Sequence, residues 1–438
     1  MAVNRDFCPG GVQMPYDFRA HTARAARDEG GLTSECKVGG AHDPKLMTAT
    51  PAITMPALDP VQSAHARSVL EALRAHIAAR GGWIGFDEYL ELVLYAPGLG
   101  YYSAGAAKLG VAGDFVTAPE LSPLFGACVA RACAPLLAGG GEILELGAGS
   151  GALAEVLLLR LAELNALPSR YGILEVSADL RERQCARLDA LPPELRARLH
   201  WLEAPPPRRL RGVILANEVA DALPFRCFAV TDGGFAERGV ALAANAAPVW
   251  AERTAELKLQ SELELLSASL PAPLAPGYCG ELCTLLEPWV LGLADTLESG
   301  AIMLFDYGLG RAELFHPQRD AGTLRCHYRH RAHDDPFWHP GLQDITAWVD
   351  FTRLADAATA AGLTVAGYCT QAAFLLGAGI DAELGRAGDA LERAQRASEA
   401  RQLLLPGEMG ETFKAMLLTR GNSAAHAAFS VQDLRRLL

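Results

Sequence analysis

EILELGAGSGA, residues 142–152, runs five mostly apolar residues straight into a loop with glycine at 147, 149 and 151, and its reading decides the fold. EILEL has the length and composition of a buried β-strand. The residues that follow, with Leu153, Val156, Leu157, Leu161 and Leu164 on one stripe, predict a helix from about 152 to 164. A strand, a glycine turn and a helix in that order open a parallel α/β sheet. Working outward, YGILEV (171–176), HWLEA (200–204) and VILAN (213–217) are the next strands, with a helix around 180–191 between the first two of them. AIMLFDYG (301–308), LTVAGYC (363–369) and FKAMLLTR (413–420) complete seven, the last pair being able to run antiparallel, with helices near 351–361 and up to about 404. More than seventy residues separate the fourth strand from the fifth, too many for a simple crossover. An inserted α+β subdomain is expected there, with a hairpin turning at Asp232-Gly233-Gly234 and a helix over 254–270.

The bulk numbers narrow the classes. A chain of 438 residues has material for two or three domains. Half its residues are hydrophobic, yet no 18-residue apolar run could span a bilayer, so membrane insertion is not expected. Acidic residues outnumber basic ones by 51 to 39, and a net charge of -12 disfavours nucleic acid as partner while suiting a cationic one. Ten cysteines form no C-x-x-C and read as reduced thiols, which together with the missing signal-peptide run predicts a cytoplasmic protein. The expected division is a disordered leader over 1–56, an N-terminal helical segment over 57–140, a core over 141–225 and 300–421, the insert over 226–299 and a tail over 422–438. The oligomeric state is not encoded in any pattern of this kind.

The glycine loop points to a ligand. Gly147, Gly149 and Ala152 fit the dinucleotide fingerprint loosely, since glycines let the backbone approach a ligand at a helix N-terminus. The third glycine, however, stands at 151, and Glu145 precedes the loop. A carboxylate there repels pyrophosphate but suits the ammonium and sulfonium of S-adenosylmethionine. Glu175, 24 residues after Gly151 at the end of the second strand, is placed to accept hydrogen bonds from ribose hydroxyls. Each feature alone is matched by a bland reading, a tight turn or a solvated strand end; the two together favour the methyl donor. A nicotinamide-dependent oxidoreductase shares the loop and is disfavoured by Glu145.

VILANEVADALPF (213–225) ends a buried strand with Asn217, Glu218 and Asp221. At the carboxyl end of a strand beside the first, these groups face the cofactor crevice. Paired carboxylates suit a guanidinium, whose donors they bind bidentately, so the three are the candidate catalytic residues. A helix N-cap after the strand is the plainer alternative.

GYYS (100–103), GDFVTAPELSPLFG (113–126), LELGAGSG (144–151), LEVSADLRERQ (174–184), ANEVADALPF (216–225), FDYG (305–308), GTLRCHYRHRAHDDP (322–336), PGLQDITAWVDF (340–351), TQAAFLLGAGI (370–380) and MGETFKAM (409–416) follow one another over about 350 residues. In these stretches the sequence resembles the MidA-like family of S-adenosylmethionine-dependent methyltransferases, whose mitochondrial members act as a complex I assembly arginine methyltransferase. The resemblance implies a class I, Rossmann-like methyltransferase fold with an N-terminal helical segment, and arginine of a partner protein as acceptor. It carries Gly147, Gly149, Gly151 and Glu175, with Glu145, Gly113, Asp114 and Thr117, to the cofactor side of a cleft, and Pro119, Glu120 and Asp344 to its substrate side. Trp348 departs from the histidine of many relatives.

The histidines at 327, 330 and 333 are interleaved with Arg325, Arg329 and Arg331, which argues against a metal site, and none is expected. Tyr101 and Tyr102 are candidates for closing the cleft, at least one of them being a half-buried packing residue. A methyltransferase of another acceptor, such as a small molecule, and a non-catalytic cofactor-binding assembly factor both share every cofactor motif.

Overall fold

The computed structural model describes residues 56–103, 117–386, 388–421 and 426–438. The expected leader up to residue 55 and the candidate site residues Gly113 and Asp114 lie outside the described residues.

Seven strands make the central sheet: β1 (Glu142–Leu146), β2 (Tyr171–Leu174), β3 (Leu199–Leu202), β4 (Leu210–Asn217), β5 (Leu297–Leu309), β6 (Thr364–Thr370) and β7 (Phe413–Arg420). Their order is β3-β2-β1-β4-β5-β7-β6, and a two-residue strand, Val349–Asp350, adds in parallel to the end of β5. β1 to β5 pair in parallel, and β7 runs antiparallel to both β5 and β6. The order reverses between β1 and β4, the point at which such sheets leave a crevice at their carboxyl edge.

Both faces of the sheet are covered, which is why its strands read as apolar runs rather than alternations. Ile143, Val213 and Leu215 pack on one face with Phe125, Leu157 and Phe374. Leu144, Ile214 and Ala216 pack on the other with Trp289, Leu293 and Leu354. The last residues belong to this core: Phe429 stacks edge-on to Phe374 at 5.4 Å, and the Leu434 amide donates to the Tyr368 carbonyl at 2.8 Å.

The insert forms a second sheet from Arg226–Thr231, Gly234–Leu242, Pro248–Thr254 and Cys279–Leu282, with the expected hairpin turn between the first two strands. A fifth strand comes from the N-terminal segment: Trp83–Gly85 pairs antiparallel with Gly239–Ala241. That segment is therefore not purely helical. Its main helix, Pro60–Ala79, starts on a capping box between Asp59 and Gln62 and buries Val69, Leu73 and Ile77 against Phe86, Tyr89, Val240 and Ile345. The histidine-rich stretch enters a small antiparallel sheet, Arg331–His333, Arg325–Tyr328 and Asp344–Thr346 in that order. Its turn residues Arg329 and His330 sit at φ 46° and 59°.

Candidate functional site

A cleft of about 1870 Å³ opens at the carboxyl edge of β1, β2 and β4, between the core, the N-terminal segment and the insert. The glycine loop forms one wall. Gly147, Gly149 and Gly151 have φ of 59°, 56° and 85°, left-handed conformations that side chains resist, so the loop turns tightly into the helix Ala152–Glu163 and keeps its backbone bare toward the cleft. Gly147 also abuts the mouth of β4: a Cβ on it would lie 3.4 Å from the Val219 side chain.

The acids around the loop are held by protein donors. Glu145 is buried and its Oε2 accepts from the Tyr171 hydroxyl at 2.6 Å; burial pushes its carboxyl up to about 7 against that bond. Glu175 Oε1 accepts from the Ser177 amide at 2.8 Å and Oε2 from Gln184 Nε2 at 3.0 Å. Gln184 was missed as a site residue. It is wholly buried, its Nε2 donates also to the Gly149 carbonyl at 3.0 Å, and its Oε1 accepts from Trp201 Nε1 at 3.0 Å, so one side chain ties the loop to the acid. The signal was present as the last residue of LEVSADLRERQ, a buried amide on an otherwise charged helix.

Thr117, Pro119 and Glu120 line the same cleft. Glu120 accepts from the Ser150 hydroxyl of the glycine loop, and Arg187 joins the group through Ser150 Oγ at 2.6 Å and Glu155 at 2.7 Å. The short helix Ala118–Leu121 thus leans on the loop, and its Ala118 amide reaches Glu218.

At the mouth of β4 the three polar residues converge as the sequence placed them. Glu218 has φ 53°, its amide donates to the Phe305 carbonyl at 2.8 Å, and Asn217 Nδ2 donates to its Oε1 at 3.2 Å. Asp306, at the end of β5, is the organiser beneath them: Oδ2 accepts from the amides of Ala220 and Asp221 at 3.0 and 3.2 Å, and Oδ1 from that of Tyr307 at 2.9 Å. The Tyr307 hydroxyl donates to Asp221 Oδ2. Asp221 is 7% exposed; the Ala222 amide lies near its carboxylate, and among the described residues its buried Oδ1 makes no well-formed hydrogen bond. Asp344 accepts from the Tyr102 hydroxyl at 2.7 Å and faces the same space, whereas Tyr101 is buried in the N-terminal core.

So many acids in one place oppose each other's ionisation. Burial, then the charge of Asp221, pushes Glu218 up to about 8. Burial pushes Asp221 up to about 6 against the Tyr307 bond, and Asp306 is raised well above the usual carboxylate range by burial and by both neighbours. A bound cation would relieve this repulsion and give Asp221 Oδ1 a donor. The bare loop and the two acids at the carboxyl ends of β1 and β2 fit S-adenosylmethionine: backbone for close approach, and carboxylate oxygens for its polar groups.

Comparison with known proteins agrees with this geometry. Residues 129–369 match the S-adenosyl-L-methionine-dependent methyltransferase family. A crystal structure of a Burkholderia thailandensis protein bound to S-adenosyl-homocysteine is 42% identical and superposes with a TM-score of 0.83, covering 88% of this chain and 100% of that one. The protein arginine methyltransferase NDUFAF7 of Danio rerio is 28% identical across 80% of this chain and 86% of its own. The Drosophila melanogaster homolog is 29% identical across 86% and 92%. Both are mitochondrial proteins, and this overturns the cytoplasmic placement expected from the sequence. Reduced cysteines separate a reducing from an oxidising compartment; they do not tell one reducing compartment from another. Among the described residues no helix is long and apolar enough to cross a membrane. By its glycine loop, its sheet and its match over more than half its length, the chain belongs to the S-adenosyl-L-methionine-dependent methyltransferase family.

Proposed function

We propose that the acceptor is an arginine side chain of a partner protein, and that Glu218 and Asp221 bind and orient its guanidinium. The observation that carries this reading is the convergence of Glu218, Asp221, Asp306 and Asp344 beside the glycine loop, with the buried Asp221 Oδ1 making no well-formed hydrogen bond among the described residues. A cation with several donors is the ligand such a group wants. The names of the relatives, protein arginine methyltransferases, support the same acceptor.

The methyl donor supplies an activated carbon on sulfur, so the chain's own work is alignment and proton management. A guanidinium nitrogen forms the new N–C bond as the C–S bond breaks and its electron pair returns to sulfur. The nitrogen then loses a proton, for which the Glu218 and Asp221 carboxylates are the receivers. Gln184 and Glu175 keep the loop in register, and Asn217 holds the Glu218 carboxylate through its amide. The Thr117–Glu120 segment closes the side of the cleft between the loop and Glu218.

The test is incubation of purified protein with isotopically labelled methyl donor and lysate of its own cells, followed by mass spectrometry. Label on arginine of one or a few proteins is expected; label confined to small molecules or to another residue type would refute the reading.

A further inference from the structure

We propose that Tyr95, Tyr102 and Tyr307, together with Glu218, Asp221 and Asp344, form the seat of the acceptor and select a planar guanidinium over the ammonium of lysine. This rests on the arginine-acceptor reading above and adds to it the residues that discriminate.

All six side chains line the one cleft. The rings come from two separate places in the chain. Tyr95 ends a π-helical turn, Glu91–Tyr95, after which the chain doubles back: Gly100 packs so closely on the Leu94 backbone that a Cβ would collide with it. The amides of Tyr101 and Tyr102 then donate to the Val93 and Leu94 carbonyls at 2.8 Å each. This brings the Tyr102 ring to 5.3 Å from that of Tyr95, tilted by 34°. Tyr307 arrives from the end of β5 and is braced edge-on by Phe413 at 5.4 Å.

Each hydroxyl is committed to the wall. Tyr102 donates to Asp344 Oδ1, Tyr307 to Asp221 Oδ2, and Tyr95 to the carbonyl of Ala222, the residue after Asp221. The tyrosines therefore fix the orientation of both carboxylates, and in Asp221 the oxygen left over makes no well-formed hydrogen bond among the described residues. The cleft is thus lined here by three aromatic rings and three carboxylates. A guanidinium matches both, since it stacks on rings, carries five N–H donors in a fixed plane and is weakly hydrated; a lysine ammonium is a compact charge that holds its water strongly and presents no flat face.

The experiment uses the full chain saturated with S-adenosylhomocysteine, and N-acetyl-arginine amide and N-acetyl-lysine amide as probes, with affinities from calorimetry or NMR titration. Wild type should bind the arginine probe at least tenfold more tightly than the lysine probe. Tyr102→Phe, Tyr307→Phe and Tyr102→Leu should each weaken the arginine probe about fivefold or more and narrow that ratio. Affinity for S-adenosylhomocysteine, measured on each variant, should stay within twofold, which excludes a folding defect; the Phe variants keep the inference testable if Tyr102→Leu fails to fold. With labelled protein acceptor, the Phe variants should raise KM more than they lower kcat. Equal binding of both probes by wild type, or variants that keep both the ratio and the KM, would overturn the seat while arginine labelling in lysate still stood. Label on a residue other than arginine would remove the reading beneath it and the seat as well.

Discussion

Glu218 carries the local contradiction on which the site depends. It is a bulky acid in the left-handed region at φ 53°, pressed among other acids, and such backbone strain costs about 1–3 kcal/mol. Its raised carboxyl sets the sign of a pH effect. Below the ordinary value of 4.5 the group is protonated in folded and unfolded chains alike; between 4.5 and about 8 only the folded protein holds the proton, so its contribution to stability is lost as pH rises through that window. Asp221, raised from 3.8 to about 6, acts in the same direction over the lower part. Thermal melts of the protein alone should therefore fall from pH 5 to 8, and Glu218→Gln should flatten the fall. The same variant should lose turnover by about a hundredfold or more while binding S-adenosylhomocysteine normally, which equilibrium dialysis and a labelled-methyl assay can check together. Normal turnover in Glu218→Gln would remove it from the mechanism. Glu175 makes a different prediction. Glu175→Ala deletes charged acceptors worth roughly 1.5–3 kcal/mol each and unties Gln184 from the loop, so S-adenosylhomocysteine affinity should fall about 10- to 100-fold by calorimetry.

At the scale of elements, the parallel sheet demands that β1, β4 and β5 approach closely at their starts, where Glu142, Gly212 and Gly300 stand side by side in register. A Cβ on Gly300 would overlap the Gly212 backbone, and φ of 123° is itself foreign to alanine. Gly300→Ala should destabilise the fold by about 3 kcal/mol or more, read as a lower denaturation midpoint with an unchanged slope. Neither glycine stood out from the sequence, because the need for each arises from a neighbour strand, Glu142 of β1 for Gly212 and Gly212 of β4 for Gly300, at least seventy residues away. The strands themselves were legible: burial on both faces writes each as a continuous apolar run, and FKAMLLTR is β7 from its first residue to its last. The three-residue strand Trp83–Gly85 and the hairpin Arg325–His333 were not, since short strands take their identity from partners distant in the chain. The site divides in the same way. The glycine loop and the Asn217–Asp221 group are local and could be read; Gln184, Tyr95 and Tyr307 matter only through what they meet across the cleft.

For the molecule as a whole, the cleft has walls from three parts of the chain, and one guanidinium fastens two of them. Arg226, at the start of the insert, lies 3.0 Å from Asp87 of the N-terminal segment, 3.5 Å from Glu237 and 2.5 Å from Glu256. Glu237 has almost no exposed surface, and beyond Arg226 it meets Arg253 at 3.1 Å. Arg226 holds its proton even more firmly than usual: burial alone would loosen it, but Asp87 and Glu237 more than offset that. Breaking a buried pair from one side leaves uncompensated charge, at a cost of about 3–5 kcal/mol, reduced here toward the lower figure because Asp87 and Glu256 reach water. Arg226→Ala should therefore lower thermal stability clearly, and Arg226→Lys should restore only part of it, since an ammonium cannot serve three carboxylates in one plane. The functional consequence is more selective than the loss of stability. Arg226 lines the cleft where Asp87 of the N-terminal segment meets the insert, so loosening it should raise KM for a protein acceptor severalfold while S-adenosylhomocysteine affinity, which we propose depends on the glycine loop and Glu175, stays within about twofold. Equal losses in both would mean that the N-terminal segment and the insert shape the cofactor pocket as much as the acceptor cleft.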